Sequence, residues 1–222
     1  MINAGQTGQH MSLDTYKRVL GFIEKTMFPF IMVSGGEPME HPDVLTMLKM
    51  AIDAGFKTTL LSNGMFLTDQ ELTKAILDLD IFVQVTNDPR FYPKEVPHVE
   101  HKNIIYENNI RLVSPFGRAL ENNIPVTRQS PLCFNLRSIV RHYHDFFQGL
   151  LMLRQKVKMC TPSINIDGSI SAGESNSCHH IGTVNDSNLV LTNKLCSMTC
   201  AKCGLVHNLD DPHKTAIGEL IH

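Results

Sequence analysis

The cysteines of this chain are the residues whose spacing most directly predicts chemistry. Only Cys133 lies before residue 160, and the other five crowd into the last third: Cys160, Cys178, Cys196, Cys200 and Cys203. Clustered cysteines in a cytosolic chain of this size hold a metal more often than they form disulfides. Thiolates are the ligands of iron–sulfur clusters, and a closed zinc site would also accept four of them, or Cys200, Cys203 and His207 with one more ligand.

A second candidate site is the glycine-rich turn Gly35-Gly36-Glu37-Pro38, which follows a predicted strand and precedes a predicted helix. The two glycines let a ligand come close to the backbone, and the carboxyl end of a strand is the usual place for a ligand crevice. Glu37 can accept a hydrogen bond from a cationic amine. The turn therefore predicts a site for a zwitterionic ligand, with a solvated glutamate in an ordinary turn as the alternative.

The elements around these residues alternate between amphipathic helices and short apolar strands, which is typical of βα units on a parallel sheet. Strands are predicted over residues 30–34, 58–61, 81–86 and 110–114, the first of them buried on both faces. Helices are predicted after a Ser12 cap, over 42–54 with Gly55 as C-terminal cap, and after a capping box of Thr68 and Glu71. The fold class is therefore α/β.

The last third of the chain has a different pattern. A long helix is predicted over residues 136–157, followed by a hairpin over 164–170 whose turn is Asp167-Gly168. The expected domain boundary lies near residue 155. Residues 1–155 would then form the α/β domain, and residues 156–222 a small cysteine-rich domain that binds metal.

The sequence resembles the radical S-adenosylmethionine superfamily. The match is Met32 to Pro38, then Pro42, Gly55-Phe56 and Thr59 to Gly64 in the family's order and spacing, with residues 112–119 resembling its fifth-strand region. The resemblance covers most of residues 12–119 and implies a partial (β/α)6, TIM-like barrel that binds S-adenosylmethionine. The residues to which it assigns cofactor or substrate contacts are Gly35, Gly36, Glu37, Pro38, Ser62, Asn63, Gln84 and Thr86.

The chain departs from this family at its N-terminus. The family's Cys-x-x-x-Cys-x-x-Cys loop, which holds the catalytic [4Fe–4S] cluster, belongs just before a helix like the one after Ser12, yet no cysteine precedes Cys133. We expect that the chain begins just after this loop, lacks the first strand, and does not cleave S-adenosylmethionine by itself. A permuted arrangement is the alternative, because Cys196-x-x-x-Cys200-x-x-Cys203 has the same spacing, although Lys202 replaces the usual aromatic residue.

The C-terminal cysteines resemble the SPASM or shorter twitch extension of radical enzymes. Twelve residues separate Cys160 from Gly173, and four more precede Cys178, before the last three cysteines. This resemblance implies one auxiliary [4Fe–4S] cluster, with zinc as the alternative metal. The implied ligands are Cys160, Cys178 and two of Cys196, Cys200 and Cys203.

The function that the resemblance implies is radical modification of a peptide, a protein or a small molecule, with flavodoxin or ferredoxin as electron donor. The alternative is a non-catalytic remnant, an iron–sulfur or zinc scaffold that binds a partner protein. With 20 Lys and Arg against 22 Asp and Glu, and no long basic run, a nucleic-acid partner is not expected. No apolar run approaches the roughly 20 residues that span a bilayer, and no signal segment opens the chain, so a cytoplasmic protein is expected.

Overall fold

The computed structural model describes residues 9–86, 95–107, 136–156, 162–172 and 179–198. The chain divides into two compact units. The first comprises Met1–Leu13 and Pro29–Arg111, and the second comprises Asp14–Phe28 and Leu112–His222. Each unit has its own sheet and its own helices.

The first unit is built on a parallel sheet of four strands in the order β1-β2-β3-β4. The strands are β1 (Phe30–Val33), β2 (Lys57–Ser62), β3 (Phe82–Val85) and β4 (Ile104–Tyr106). Helix α2 (Val44–Asp53) connects β1 to β2, and helix α3 (Gln70–Leu77) connects β2 to β3. The predicted α/β class with a parallel sheet is therefore confirmed, whereas closure into a barrel stays a prediction.

The core of this unit lies on one face of the sheet. Leu60, Val83 and Ile104 pair across β2, β3 and β4 and point to this face. Leu48 of α2 and Ile76 of α3 are fully buried against the same side. On the opposite face Met32 is 62% exposed and Phe82 55% exposed. The expectation that the first strand is buried on both faces is wrong, because Phe30 and Met32 point to the face opposite the helices and are exposed.

Of the helix caps predicted in this unit, the C-terminal cap at Gly55 is confirmed and the N-terminal capping box at Thr68 is not. Gly55 adopts φ 84° after α2, and its N–H and that of Phe56 donate to Ile52 and Ala51, as in a Schellman cap. The predicted capping box at Thr68 is wrong. Thr68 ends a short 3₁₀ helix (Met65–Thr68), and the Asp69 carboxylate caps α3 by accepting from the Leu72 N–H at 3.0 Å.

The fourth strand lies earlier in the chain than expected. The strand predicted over residues 110–114 falls outside the described residues. The observed β4 occupies residues 104–106, for which no element was predicted. Its Ile104 pairs with Val83 in parallel register.

Among the residues that the structure describes, the second unit combines four helices with a small antiparallel sheet. Its helices are α1 (Leu13–Lys25, from residue 14 on), α4 (Leu136–Tyr143), α5 (Phe146–Lys156) and α6 (Asn188–Ser197). Its strands, in the order β5-β6-β7, are β5 (Ser163–Ile164), β6 (Ser169–Ser171) and β7 (His180–Thr183). The predicted hairpin is confirmed, with Gly168 at φ 83° in its turn.

The single long helix expected over residues 136–157 is instead two helices. His144 has φ 52°, and Asp145 then begins the second helix by accepting from the Gln148 N–H at 2.8 Å. The Phe146 N–H donates to the Thr192 hydroxyl at 2.8 Å, so α5 is tied to α6. These contacts join residues on both sides of position 155, and the domain boundary expected near that residue stays a prediction.

None of the helices in the described ranges is long and apolar enough to cross a bilayer.

Candidate binding site at the carboxyl ends of the sheet

The carboxyl ends of the four parallel strands bring together polar side chains from distant parts of the chain. Glu37 follows β1, Ser62 and Asn63 close β2, Gln84 and Thr86 lie at the end of β3, and Glu107 follows β4. In an open parallel sheet this edge is where ligands bind. Most of the residues predicted as cofactor contacts therefore lie on one edge of one sheet.

Glu37 is held by three hydrogen bonds that join the ends of β1 and β2. Its Oε1 accepts from the Met39 N–H at 3.1 Å and from the Ser62 hydroxyl at 2.8 Å. Its Oε2 accepts from the Asn63 N–H at 2.7 Å. Glu37 is therefore held by protein donors in this structure, and its contact with a ligand stays a prediction. Since a carboxylate offers about four lone-pair sites, Oε2 keeps one acceptor position beyond these three donors.

The environment of Glu37 raises the pKa of its carboxyl group. Burial is the main cause, because it penalises the charged form, and the negative charge of Glu40 adds a smaller effect. The hydrogen bonds from Asn63, Ser62 and Met39 oppose the shift, because they stabilise the carboxylate. Its negative charge is thus partly desolvated and fixed in direction, which suits a carboxylate that binds a cation.

Gly35, two residues before Glu37, leaves room beside the backbone. Gly35 is exposed and has φ 153°, and a Cβ built on it would meet no atom within 4 Å. Gly36 is half-buried, and the buried Pro38 begins a 3₁₀ helix (Pro38–Glu40) that the Glu37 side chain caps. A ligand can therefore approach the main chain at Gly35 while Glu37 stays fixed.

Ser62 and Asn63 are buried, and their side chains shape the turn after β2. The Ser62 hydroxyl oxygen accepts from the Gly64 N–H at 3.1 Å, and Asn63 Oδ1 accepts from the Met65 N–H at 2.8 Å. Gly64 has φ 83°, and a Cβ on it would lie 2.6 Å from a Val85 methyl group. In this structure the two polar residues position Glu37 and the turn, and their direct contact with a ligand stays a prediction.

Gln84 and Thr86 both contact Glu107 on the neighbouring strand. The side-chain amide of Gln84 donates to one carboxylate oxygen, and the Thr86 hydroxyl donates to the other at 3.4 Å. Sequence reasoning missed Glu107, because the three-residue strand β4 is too short for its alternation to be read. The available signal was an acidic residue directly after the apolar segment Ile104–Tyr106.

The predicted metal ligands lie almost entirely outside the described residues. Cys160, Cys178, Cys200 and Cys203 are in the omitted ranges, whereas Cys196 lies near the end of α6 as a free, half-buried thiol. Within the described ranges no group of three or more His, Cys, Asp or Glu side chains could hold a metal ion. The iron–sulfur and zinc alternatives therefore both stay predictions.

Comparison with known proteins finds similarity to a curated protein and to solved structures. A stretch of 64 residues is 31% identical to an AdoMet-dependent heme synthase from Methanosarcina barkeri (strain Fusaro / DSM 804). The stretch spans 29% of this chain and 18% of that relative, so less than a fifth of the relative's length is matched. The crystal structure of BtrN in an open conformation matches 83% of this chain and 70% of its own at 13% identity, with a TM-score of 0.48. No protein-family model matches the chain.

Proposed function

We propose that the carboxyl edge of the parallel sheet binds S-adenosylmethionine, and that the chain is part of a protein of the radical S-adenosylmethionine type. The observation that carries this proposal is the fixed Glu37 carboxylate beside the open space at Gly35. The name of the sequence relative, an AdoMet-dependent enzyme, supports the same ligand. So does the resemblance of residues 32–38 and 59–64 to that superfamily.

The residues present fit the amino-acid end of this ligand. Glu37 Oε2 has acceptor capacity beyond its bond with Asn63, and it can take a charge-assisted hydrogen bond from the methionyl ammonium. The donors on Met39, Ser62 and Asn63 fix the carboxylate before the ligand arrives, so little ordering remains to be done on binding. With a reduced iron–sulfur cluster, S-adenosylmethionine supplies hydrogen-abstracting chemistry. The part played by Glu37 is to hold and orient its ammonium group.

The test compares Glu37→Gln with a matched control on the same loop. Glu40 is an exposed glutamate three residues further along, so Glu40→Gln removes the same charge without touching the three hydrogen bonds. A charge-assisted hydrogen bond is worth about 1.5–3 kcal/mol, so Glu37→Gln should weaken S-adenosylmethionine binding about tenfold or more. Equilibrium dialysis with labelled ligand measures both variants. A wild-type chain that binds none of the ligand, or equal losses in the two variants, would reject the proposal.

The metal centre proposed for the C-terminal cysteines is one auxiliary [4Fe–4S] cluster, ligated by Cys160, Cys178 and two of the last three cysteines. Its support is the spacing of the cysteines together with the free thiol of Cys196. The cluster would bind substrate or accept an electron during modification of a peptide, a protein or a small molecule. Flavodoxin or ferredoxin in the cytoplasm is the proposed electron donor.

A further inference from the structure

Asn63-Gly64 is the only Asn-Gly pair in the sequence, and it lies in the turn after β2. Such a pair is open to spontaneous deamidation, because glycine has no side chain to hinder its backbone nitrogen. In that reaction the Gly64 nitrogen attacks Cγ of Asn63, and its proton leaves with the side-chain NH2 group as ammonia. The cyclic imide then takes up a water molecule and opens to aspartate or isoaspartate.

The structure orients the Asn63 amide as the electrophile of this reaction. The Met65 N–H lies 2.8 Å from Asn63 Oδ1. Since a main-chain N–H only donates, the amide oxygen and not the NH2 group must face Met65. A donor at this oxygen draws electron density from Cγ, and it stabilises the negative charge that develops on the oxygen during attack. The Asn63 side chain is therefore held in a form that favours attack at Cγ.

The nucleophile of the reaction, the Gly64 nitrogen, is restrained by a chain of hydrogen bonds. The Gly64 N–H donates to the Ser62 hydroxyl oxygen at 3.1 Å, and this contact is buried. The Ser62 hydroxyl in turn donates to Glu37 Oε1 at 2.8 Å, and the Asn63 N–H donates to Oε2 of the same carboxylate at 2.7 Å. The Gly64 nitrogen therefore has to give up its bond to Ser62 before it can attack.

We infer that Asn63 is a deamidation site held in check by the bond between Gly64 and Ser62, and that it reacts when the turn after β2 opens locally. The inference does not depend on ligand binding. The product carries a new carboxylate in the residue whose N–H donates to Glu37. Isoaspartate also lengthens the main chain by a methylene group before Gly64. Either product alters the edge of the sheet at which Glu37 is held.

The first arm of the test uses the wild-type chain. Peptide mapping by mass spectrometry follows the replacement of the Asn63 NH2 group by oxygen, in folded protein and in protein unfolded with urea. Hydrogen exchange measures the protection of the Gly64 amide in the folded protein. Folding should slow deamidation by about the same factor as it slows exchange of that amide, because both reactions need the Gly64 N–H to leave Ser62. Equal deamidation rates in the folded and the unfolded chain would overturn the inference.

The second arm compares Ser62→Ala with Ser34→Ala. The first change removes the acceptor of the Gly64 N–H, whereas Ser34 is an exposed serine directly after β1 and provides a matched loss of a hydroxyl group. A buried donor left without its acceptor corresponds to about 5- to 150-fold more frequent local opening. Deamidation of Asn63 should therefore be about 5- to 150-fold faster in Ser62→Ala and unchanged in Ser34→Ala. A wild-type rate in Ser62→Ala would overturn the inference.

The fold of the variants is checked at another position in the same sheet. The Val83 N–H donates to the Asn103 carbonyl at 2.8 Å, and its hydrogen exchange should be equally slow in wild type and in both variants. Because the first arm needs no variant, the inference can be refuted there even if Ser62→Ala opens the whole sheet.

Discussion

Replacing Glu37 with glutamine tests whether this carboxylate joins two strand ends as the structure indicates. The amide of glutamine keeps one oxygen and turns the other into a donor. The remaining oxygen keeps the most hydrogen bonds at the Oε1 position, where the Met39 N–H and the Ser62 hydroxyl both donate. The new NH2 group then faces the Asn63 N–H, so a donor meets a donor where the carboxylate had a bond of 2.7 Å.

The expected magnitude follows from that single mismatch. Asn63 is 6% exposed, so its N–H has little access to water in compensation. A buried donor that loses its acceptor costs about 1–3 kcal/mol. Removing the partly buried charge offsets some of this cost, because the same burial raises the pKa of Glu37. We therefore expect a loss nearer the lower end of the range at neutral pH.

Hydrogen exchange is the suitable assay, because a chain of two compact units need not unfold in one step. If the turn after β2 opens locally, a loss of 1–3 kcal/mol raises the exchange rate of the Asn63 amide by about 5- to 150-fold. The Glu40→Gln control should leave that rate unchanged. Equal exchange of the Asn63 amide in wild type and Glu37→Gln would show that Glu37 does not stabilise the turn.

Four further predictions concern the turn, the protonation of Glu37 and the metal centre. Gly64→Ala should lower the midpoint of thermal unfolding more than Gly55→Ala, because both glycines have φ near 84° but only a Cβ at residue 64 meets another side chain, at 2.6 Å. The pKa of Glu37 is raised in the folded chain from its ordinary value of 4.5, so the contribution of Glu37 to the free energy of unfolding should fall as the pH rises from 4.5 through the folded pKa. Affinity for S-adenosylmethionine should rise over the same pH range. Glu37→Gln should remove both trends, as measured by urea unfolding and by binding titrations. Anaerobically prepared protein should be brown, with a broad charge-transfer band, whereas colourless protein with stoichiometric zinc would reject the iron–sulfur assignment. Assays with dithionite should yield no 5′-deoxyadenosine, and turnover abolished by Cys200→Ala but unaffected by Cys160→Ala would instead support the permuted arrangement.

The parallel sheet could be predicted because its signals are local. Apolar segments followed by glycine, and helices that end in glycine such as Gly55, mark βα units without knowledge of the tertiary structure. The strand β4 was missed because three residues carry too little alternation to be read. The break at His144 was missed because Asp145, besides capping its own helix, accepts from the Asn188 side-chain amide of α6, more than 40 residues further along the chain.

The candidate site was predictable in composition but less so in its contacts. The turn at Gly35 and Glu37 and the polar ends of β2 and β3 identify the edge of the sheet. The bond between Glu37 and Ser62 joins residues 25 positions apart, and the pair of Gln84 and Glu107 depends on strand register. Such bonds follow only from the paired strands. The sequence could therefore suggest that the Glu37 carboxylate binds a ligand, but it could not identify the three protein groups that donate to Glu37.

A crystal structure of the chain grown with S-adenosylmethionine would show directly whether Glu37 binds this ligand. We expect the methionyl nitrogen about 2.7–2.9 Å from Glu37 Oε2, with the ligand against the open side of Gly35. We also expect the bonds from Met39, Ser62 and Asn63 to Glu37 to persist in the complex. Density for the ligand elsewhere on the chain, with Glu37 bonded to its three protein donors alone, would show that Glu37 does not bind S-adenosylmethionine.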